Sequence, residues 1–271
     1  MESLSRWFGK KFLPEHAAGS PPWGEVFTVI GSGGKTSLIW RLALSQRHRK
    51  VLVSPTTKMY PPPPEARWYD YYFSGREAAG FSPGKDPGRG ISLAGVLNEG
   101  TDKLEALPLE VLEKIVPAYD LILLEGDGSR GLPLKGWADH EPVVPPYTSV
   151  SIGIISIVPL GKKLSERIVF RLSRFTRLSG AKEGETLSPS HLAAVIAGPA
   201  GTAGRGSGNN GARSLFSAAR GKKLLFINQV EDEVRRKQAR QLISCLPGDF
   251  RAGLAGIIAG SVEQDKMEVL D

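Results

Sequence analysis

The sequence predicts an α/β fold, a mainly parallel sheet with helices on both faces, and three observations carry that prediction. Short apolar runs recur at 26–30, 121–124, 150–158, 224–227 and 254–259, as expected for strands buried on both faces. Segments with helical spacing lie between them, the alternation that parallel strands and their crossover helices produce. The first run leads straight into a glycine-rich turn and then into a helix, the layout of a phosphate-binding loop. No internal repeat or linker composition interrupts this pattern. Residues 25–271 therefore read as one P-loop NTPase-like domain, with residues 1–24 as an N-terminal extension.

Residues 3–13 have the amphipathic pattern of a short helix, ended by Pro14. The strand Val26–Ile30 precedes Gly31 to Ser37, and a helix follows to about Gln46. Val51–Val53 is the next strand. Pro61–Pro64 with Trp68, Tyr69 and Tyr71–Phe73 reads as a covered surface loop with a short hairpin, although polyproline beside aromatics also suits a docking surface. Ile91–Leu97 is apolar. Leu104, Leu107, Val111, Leu112 and Ile115 predict a helix over 103–115. After the strand Leu121–Leu124 come a proline-rich loop over 132–147, the strand 150–158 and a basic helix over 164–178. Ser188–Pro189 opens a helix to Ile196, and 198–211, rich in glycine, reads as a mobile loop. The strand 224–227, a helix over 231–245 and the strand 254–259 close the chain. Cys245 falls on what reads as a buried helical face, a structural position.

A net charge of +7 and a pI near 9.5 raise the question of nucleic acid. The basic residues are spread along the chain, and no aromatic-plus-basic RNA motif is present. Attraction to anionic nucleotides and protein partners accounts for the charge equally well. One cysteine excludes an internal disulfide, which fits a reducing compartment. The four histidines have no zinc-site spacing. The first residues lack a signal peptide's apolar core, and no run reaches a membrane span. The expected location is the cytoplasm.

Gly31-Ser32-Gly33-Gly34-Lys35-Thr36-Ser37 has the residues a triphosphate site needs. Glycines let backbone N–H groups converge on phosphate oxygens, and the helix start adds unpaired donors and partial positive charge. Lys35 is placed for the β/γ-phosphates and Thr36 for Mg²⁺. Val29 stands where the longer form of this loop has its first glycine, so the match is to the shorter G-[ST]-x-G-K-T-[ST] form of Mur-type ATP-dependent ligases. Leu121 to Gly131 supplies the second signal: a buried strand ends in acid, where Glu125 or Asp127 would hold Mg²⁺ or its water shell, and Gly128 completes an acid-x-x-Gly element. Lys58, after the second strand, is a further phosphate candidate. Asn228 is placed either to read a base edge or to cap the following helix. His140, with Lys135 and Arg130, is a candidate acid or base, or an anion contact.

The motifs together resemble the YqeC-like accessory proteins of selenium-dependent hydroxylases. The resemblance rests on G-x-G-G-K-T-S at 31–37, Thr56-Thr57-Lys58, Glu125-x-Asp127-Gly128-Ser129-Arg130 with Leu132-Pro133-Leu134-Lys135, His140-Glu141-Pro142 and the late Asn228-Gln229-Val230. It implies work in maturing selenium-containing molybdenum hydroxylases, without a settled reaction; the paired phosphate and acidic loops themselves predict binding of ATP or GTP with Mg²⁺, and its hydrolysis. The implied partners are the molybdenum hydroxylase apoenzyme or the selenium/molybdenum cofactor machinery. Lys35, Glu125, Asp127 and His140 are the expected catalytic set; Gly31 to Ser37, Lys58, Gly128 and Asn228 the nucleotide set; Thr36, Glu125 and Asp127 the metal set. Two other classes remain open: an ATP-dependent ligase or kinase, and a non-catalytic docking protein gated by nucleotide.

Overall fold

The computed structural model describes residues 1–13, 24–74, 88–198 and 213–270. Its centre is the parallel set β2 (Glu25–Gly31), β3 (Lys50–Pro55), β6 (Gly90–Asn98), β8 (Leu121–Glu125), β10 (Val150–Ser156), β12 (Lys222–Asn228) and β13 (Gly256–Ser261). Their spatial order is β13-β12-β10-β2-β8-β3-β6, and every adjacent pair in it is parallel. Thus β2, which carries the glycine loop, lies between β8 and β10, with Val29 opposite Glu125 and Ile154 opposite Gly31.

Side chains alternate across this sheet, as the pleat requires. Phe27 and Val29 pack with Leu38, Ile39 and Trp40 of α2 (Lys35–Ser45), and with Trp7, Phe8 and Phe12 of α1 (Leu4–Phe12). Val26, Leu52 and Ile122 point the other way, onto Leu112 and Ile115 of α3 (Leu109–Ile115). Ile30, Leu225 and Ile227 pack with α4 (Leu172–Ser179), α5 (Pro189–Ala197) and α6 (Glu233–Ser244). α7 (Gly248–Ala252) is a single short turn with no buried residue. Helices thus flank a mostly parallel, mixed sheet.

Antiparallel strands are added at both edges. β14 (Lys266–Val269) pairs with β13, and β1 (Glu2–Ser3) with β14, so the first residues join the sheet ahead of α1. At the other edge β6 turns into β7 (Lys103–Glu105), which pairs with β4 (Lys58–Met59). Residues 103–105 are therefore strand rather than the start of the predicted helix: Glu105 pairs with Val96 and Lys58, and the helix begins at Leu109. Among the described residues, β5 (Tyr71–Ser74) pairs in parallel with β6 rather than in the expected hairpin. The predicted basic helix over 164–178 is also shortened. Within it, β11 (Val169–Phe170) pairs with β9 (Leu134–Lys135), and only Leu172–Ser179 is helical. Cys245 is exposed at the end of α6, correcting its buried assignment. Beyond Gly198, the loop predicted over 198–211 lies outside the described residues.

Candidate functional site

The glycine loop leaves β2 and enters α2 under tight steric limits. Gly33 and Gly34 have φ of +85° and +126°, and a Cβ would come within 2.5 Å of Ser156 Cβ and 2.3 Å of Asn228 Nδ2 respectively. Only glycine fits both the conformation and the space. At the start of α2, Gly34 provides no side-chain cap and the first turn holds no acid. Its first N–H groups therefore present donors and partial positive charge to an anion. Asn228 Nδ2 donates to Gly33 O at 2.7 Å, while its Oδ1 accepts from Val262 N at 3.0 Å. Ser32 Oγ donates to Pro133 O at 3.0 Å.

Lys35 folds back over the loop, donating to Gly31 O at 2.7 Å, with Asp127 Oδ1 at 3.4 Å and Glu125 Oε1 at 3.9 Å. Thr36 Oγ1 donates to Glu125 Oε2 at 2.7 Å. Burial pushes the Glu125 carboxyl above its ordinary value; Lys35 and Thr36 oppose this but do not outweigh it. Two residues on, Asp127 has a different environment. It is completely buried, accepts from Gly31 N at 3.1 and 3.2 Å and from Trp137 Nε1 at 2.6 Å, and faces Lys135 Nζ at 3.2 Å.

The ionic chain continues inward. Lys135, 1% exposed, donates to Glu141 Oε2 at 2.9 Å and to Gly128 O at 2.6 Å. Glu141 in turn accepts from the Arg171 guanidinium, which reaches its Oε1 at 3.3 Å. Burial disfavours ionisation of Glu141, but Arg171 and Lys135 prevail and hold the carboxyl below its usual range. Lys35, Asp127, Lys135, Glu141 and Arg171 thus form one alternating row from the glycine loop to the start of α4. No local motif in the sequence marks Trp137 or Arg171 for this role.

A cleft of about 300 Å³ opens over the loop. It is lined by Gly33 to Ser37 and Glu125, by Lys58, Met59, Tyr60 and Lys103, and by Gly128 to Leu132. The structure therefore brings Lys35, Thr36, Lys58, Glu125 and Gly128 together. Lys58 is held by Glu105 at 2.6 Å. Asp127 and Asn228 sit behind the loop, their polar atoms bonded to protein. His140 is exposed and lies outside the cleft lining. Among the described residues, no three His, Cys, Asp or Glu side chains form a metal cluster, and no helix is long and apolar enough to cross a membrane.

A model of the YqeC protein family matches residues 27–173, more than half of the chain. The chain belongs to the YqeC family. A relative from Escherichia coli (strain K12), "Uncharacterized protein YqeC", is 33% identical over 180 residues, covering 65% of this chain and 69% of its own. The span that matches the YqeC model contains the glycine loop, Glu125 and the ionic row through Arg171, but ends before Asn228.

Proposed function

We propose that the chain binds a magnesium nucleoside triphosphate, ATP or GTP, at Gly31–Ser37, and acts as an accessory factor in maturing selenium-dependent molybdenum hydroxylases. The observation that supports nucleotide binding most strongly is the meeting of Thr36 and Glu125 at 2.7 Å beside an uncapped helix start. Two hard oxygen ligands on adjacent elements suit Mg²⁺, which keeps most of its shell for water and phosphate. The glycine cradle, which a Cβ would obstruct, suits closely approaching phosphates. The maturation role rests on the motif resemblance drawn from the sequence, and the proposed cytoplasmic setting on the single cysteine.

In this reading the N–H groups at the start of α2 bind phosphate oxygens. Lys35 exchanges its contacts with Gly31 O and Asp127 for phosphate and neutralises charge that develops there during hydrolysis. Thr36 and Glu125 hold the metal, and when bound Mg²⁺ supplies Lewis-acid stabilisation of phosphate oxygens. Asp127 and Asn228 act through the loop: the first fixes Gly31 N–H, the second Gly33 O.

Calorimetric titration with ATP and GTP, with and without Mg²⁺, and assay of phosphate release test the nucleotide reading. Binding that strengthens with Mg²⁺ is expected; absence of binding by either nucleotide would overturn it. Co-expression with a selenium-dependent molybdenum hydroxylase tests the second half. Its active, selenium-loaded fraction should rise with the wild-type chain and not with Lys35→Ala. No rise with either would refute the accessory role.

A further inference from the structure

Two cations that line the cleft are positioned by rings instead of carboxylates. Lys103 Nζ lies 4.7 Å from the centre of the Tyr60 ring, and Arg130 Cζ lies 4.8 Å from the centre of Phe170. Among the described residues, neither makes a salt bridge or a side-chain hydrogen bond. Lys58, by contrast, is already matched by Glu105, and Lys35 by Glu125 and Asp127. Stacking orients a cation while leaving its N–H donors and its charge available. Arg130 is further set by its backbone, φ +52°.

We propose that Lys103 and Arg130 form a second anion site, in the same cleft as the triphosphate site, for a small organic phosphate monoester. The charge argument selects the class. A phosphate monoester carries nearly two negative charges at neutral pH and three acceptor oxygens, matching two unneutralised cations with several donors. A carboxylate, with one charge, leaves one cation unmatched. Leu132, which also lines the cleft and is part-exposed, provides apolar surface for the organic part. The site gives the nucleotide-binding centre a second substrate, and it rests on reading Gly31–Ser37 as the triphosphate site.

The test uses the full chain saturated with Mg²⁺ and a non-hydrolysable ATP analogue, with phenyl phosphate as probe followed by saturation-transfer NMR and calorimetry. Phenyl phosphate should bind the loaded protein, benzoate and phenol at least tenfold more weakly. The double variant K103A/R130A should weaken phenyl phosphate at least tenfold while nucleotide affinity changes less than threefold. Circular dichroism checks that the variant is folded, and the single variant R130Q should give an intermediate loss. Displacement of phenyl phosphate by the analogue would show that it uses the glycine loop, and would overturn the second site. Equal phenyl phosphate affinity in wild type and double variant would overturn it too. If the analogue itself fails to bind, the nucleotide reading falls, and the same titrations on the nucleotide-free proteins still decide the second site by its dependence on Lys103 and Arg130.

Discussion

The two flanks of the glycine loop are supported by different physics. Toward β12 and β13 the support is neutral: one amide, Asn228, spans Gly33 O and Val262 N. Toward β8 and β9 it is ionic, a buried row in which Asp127 and Glu141 alternate with Lys35, Lys135 and Arg171. A neutral clamp is satisfied whatever the charge in front of the loop. The ionic flank shares Lys35 with the cleft, so on the proposed nucleotide reading it would respond to a bound anion. Desolvating such a row is costly, and its members are held in place by one another.

The largest effect should come from the ionic side. Asp127→Ala removes the acceptor of Gly31 N–H and Trp137 and leaves Lys135 with one carboxylate. Breaking a buried pair costs about 3–5 kcal/mol, so thermal unfolding without nucleotide should shift accordingly. A shift as small as that of a surface substitution would contradict the buttress. Asn228→Ala should cost less, on the order of 2 kcal/mol, because two neutral hydrogen bonds are lost and Gly33 O is left without its partner. If Asn228→Ala proved more damaging than Asp127→Ala, the contrast between the flanks would be reversed.

Acid should discriminate between the flanks as well. The folded carboxyl of Glu141 ionises below its ordinary value near 4.5. Its contribution is complete above that value and disappears as pH falls through the lower folded value. Urea midpoints measured from about pH 6 down to about pH 3 should therefore fall more steeply for wild type than for Glu141→Gln. Parallel curves would remove Glu141 from the acid response. The smallest effect belongs to the exposed pair Lys58–Glu105, where Glu105→Gln should leave the melting temperature within error.

Much of the centre was legible because burial on both faces writes itself as apolar runs. Leu121–Leu124 and Leu224–Ile227 could hardly be anything but inner strands, and glycine, lysine and threonine after Val26–Ile30 fixed the loop. The short strands were hidden. In Lys103-Leu104-Glu105, Leu104 falls in helical register with Leu107 and Val111, and only pairing with Val96–Asn98 makes it a strand. Val169–Phe170 was absorbed into a helix for the same reason: a strand of two residues has no period. Glu125 and Asp127 could not be told apart by spacing, since two residues along a strand point to one side. What separates them is Trp137 and Lys135, brought from the following segment to close over Asp127 alone.

The central claim is that Lys35 leaves the ionic row to meet a triphosphate. Calorimetric titration of wild type and Lys35→Ala with Mg²⁺ and a non-hydrolysable ATP or GTP analogue addresses it directly. Losing a charge-assisted phosphate contact costs about 1.5–3 kcal/mol, so affinity should fall roughly 10- to 150-fold in the variant. Unchanged affinity in Lys35→Ala would contradict the claim.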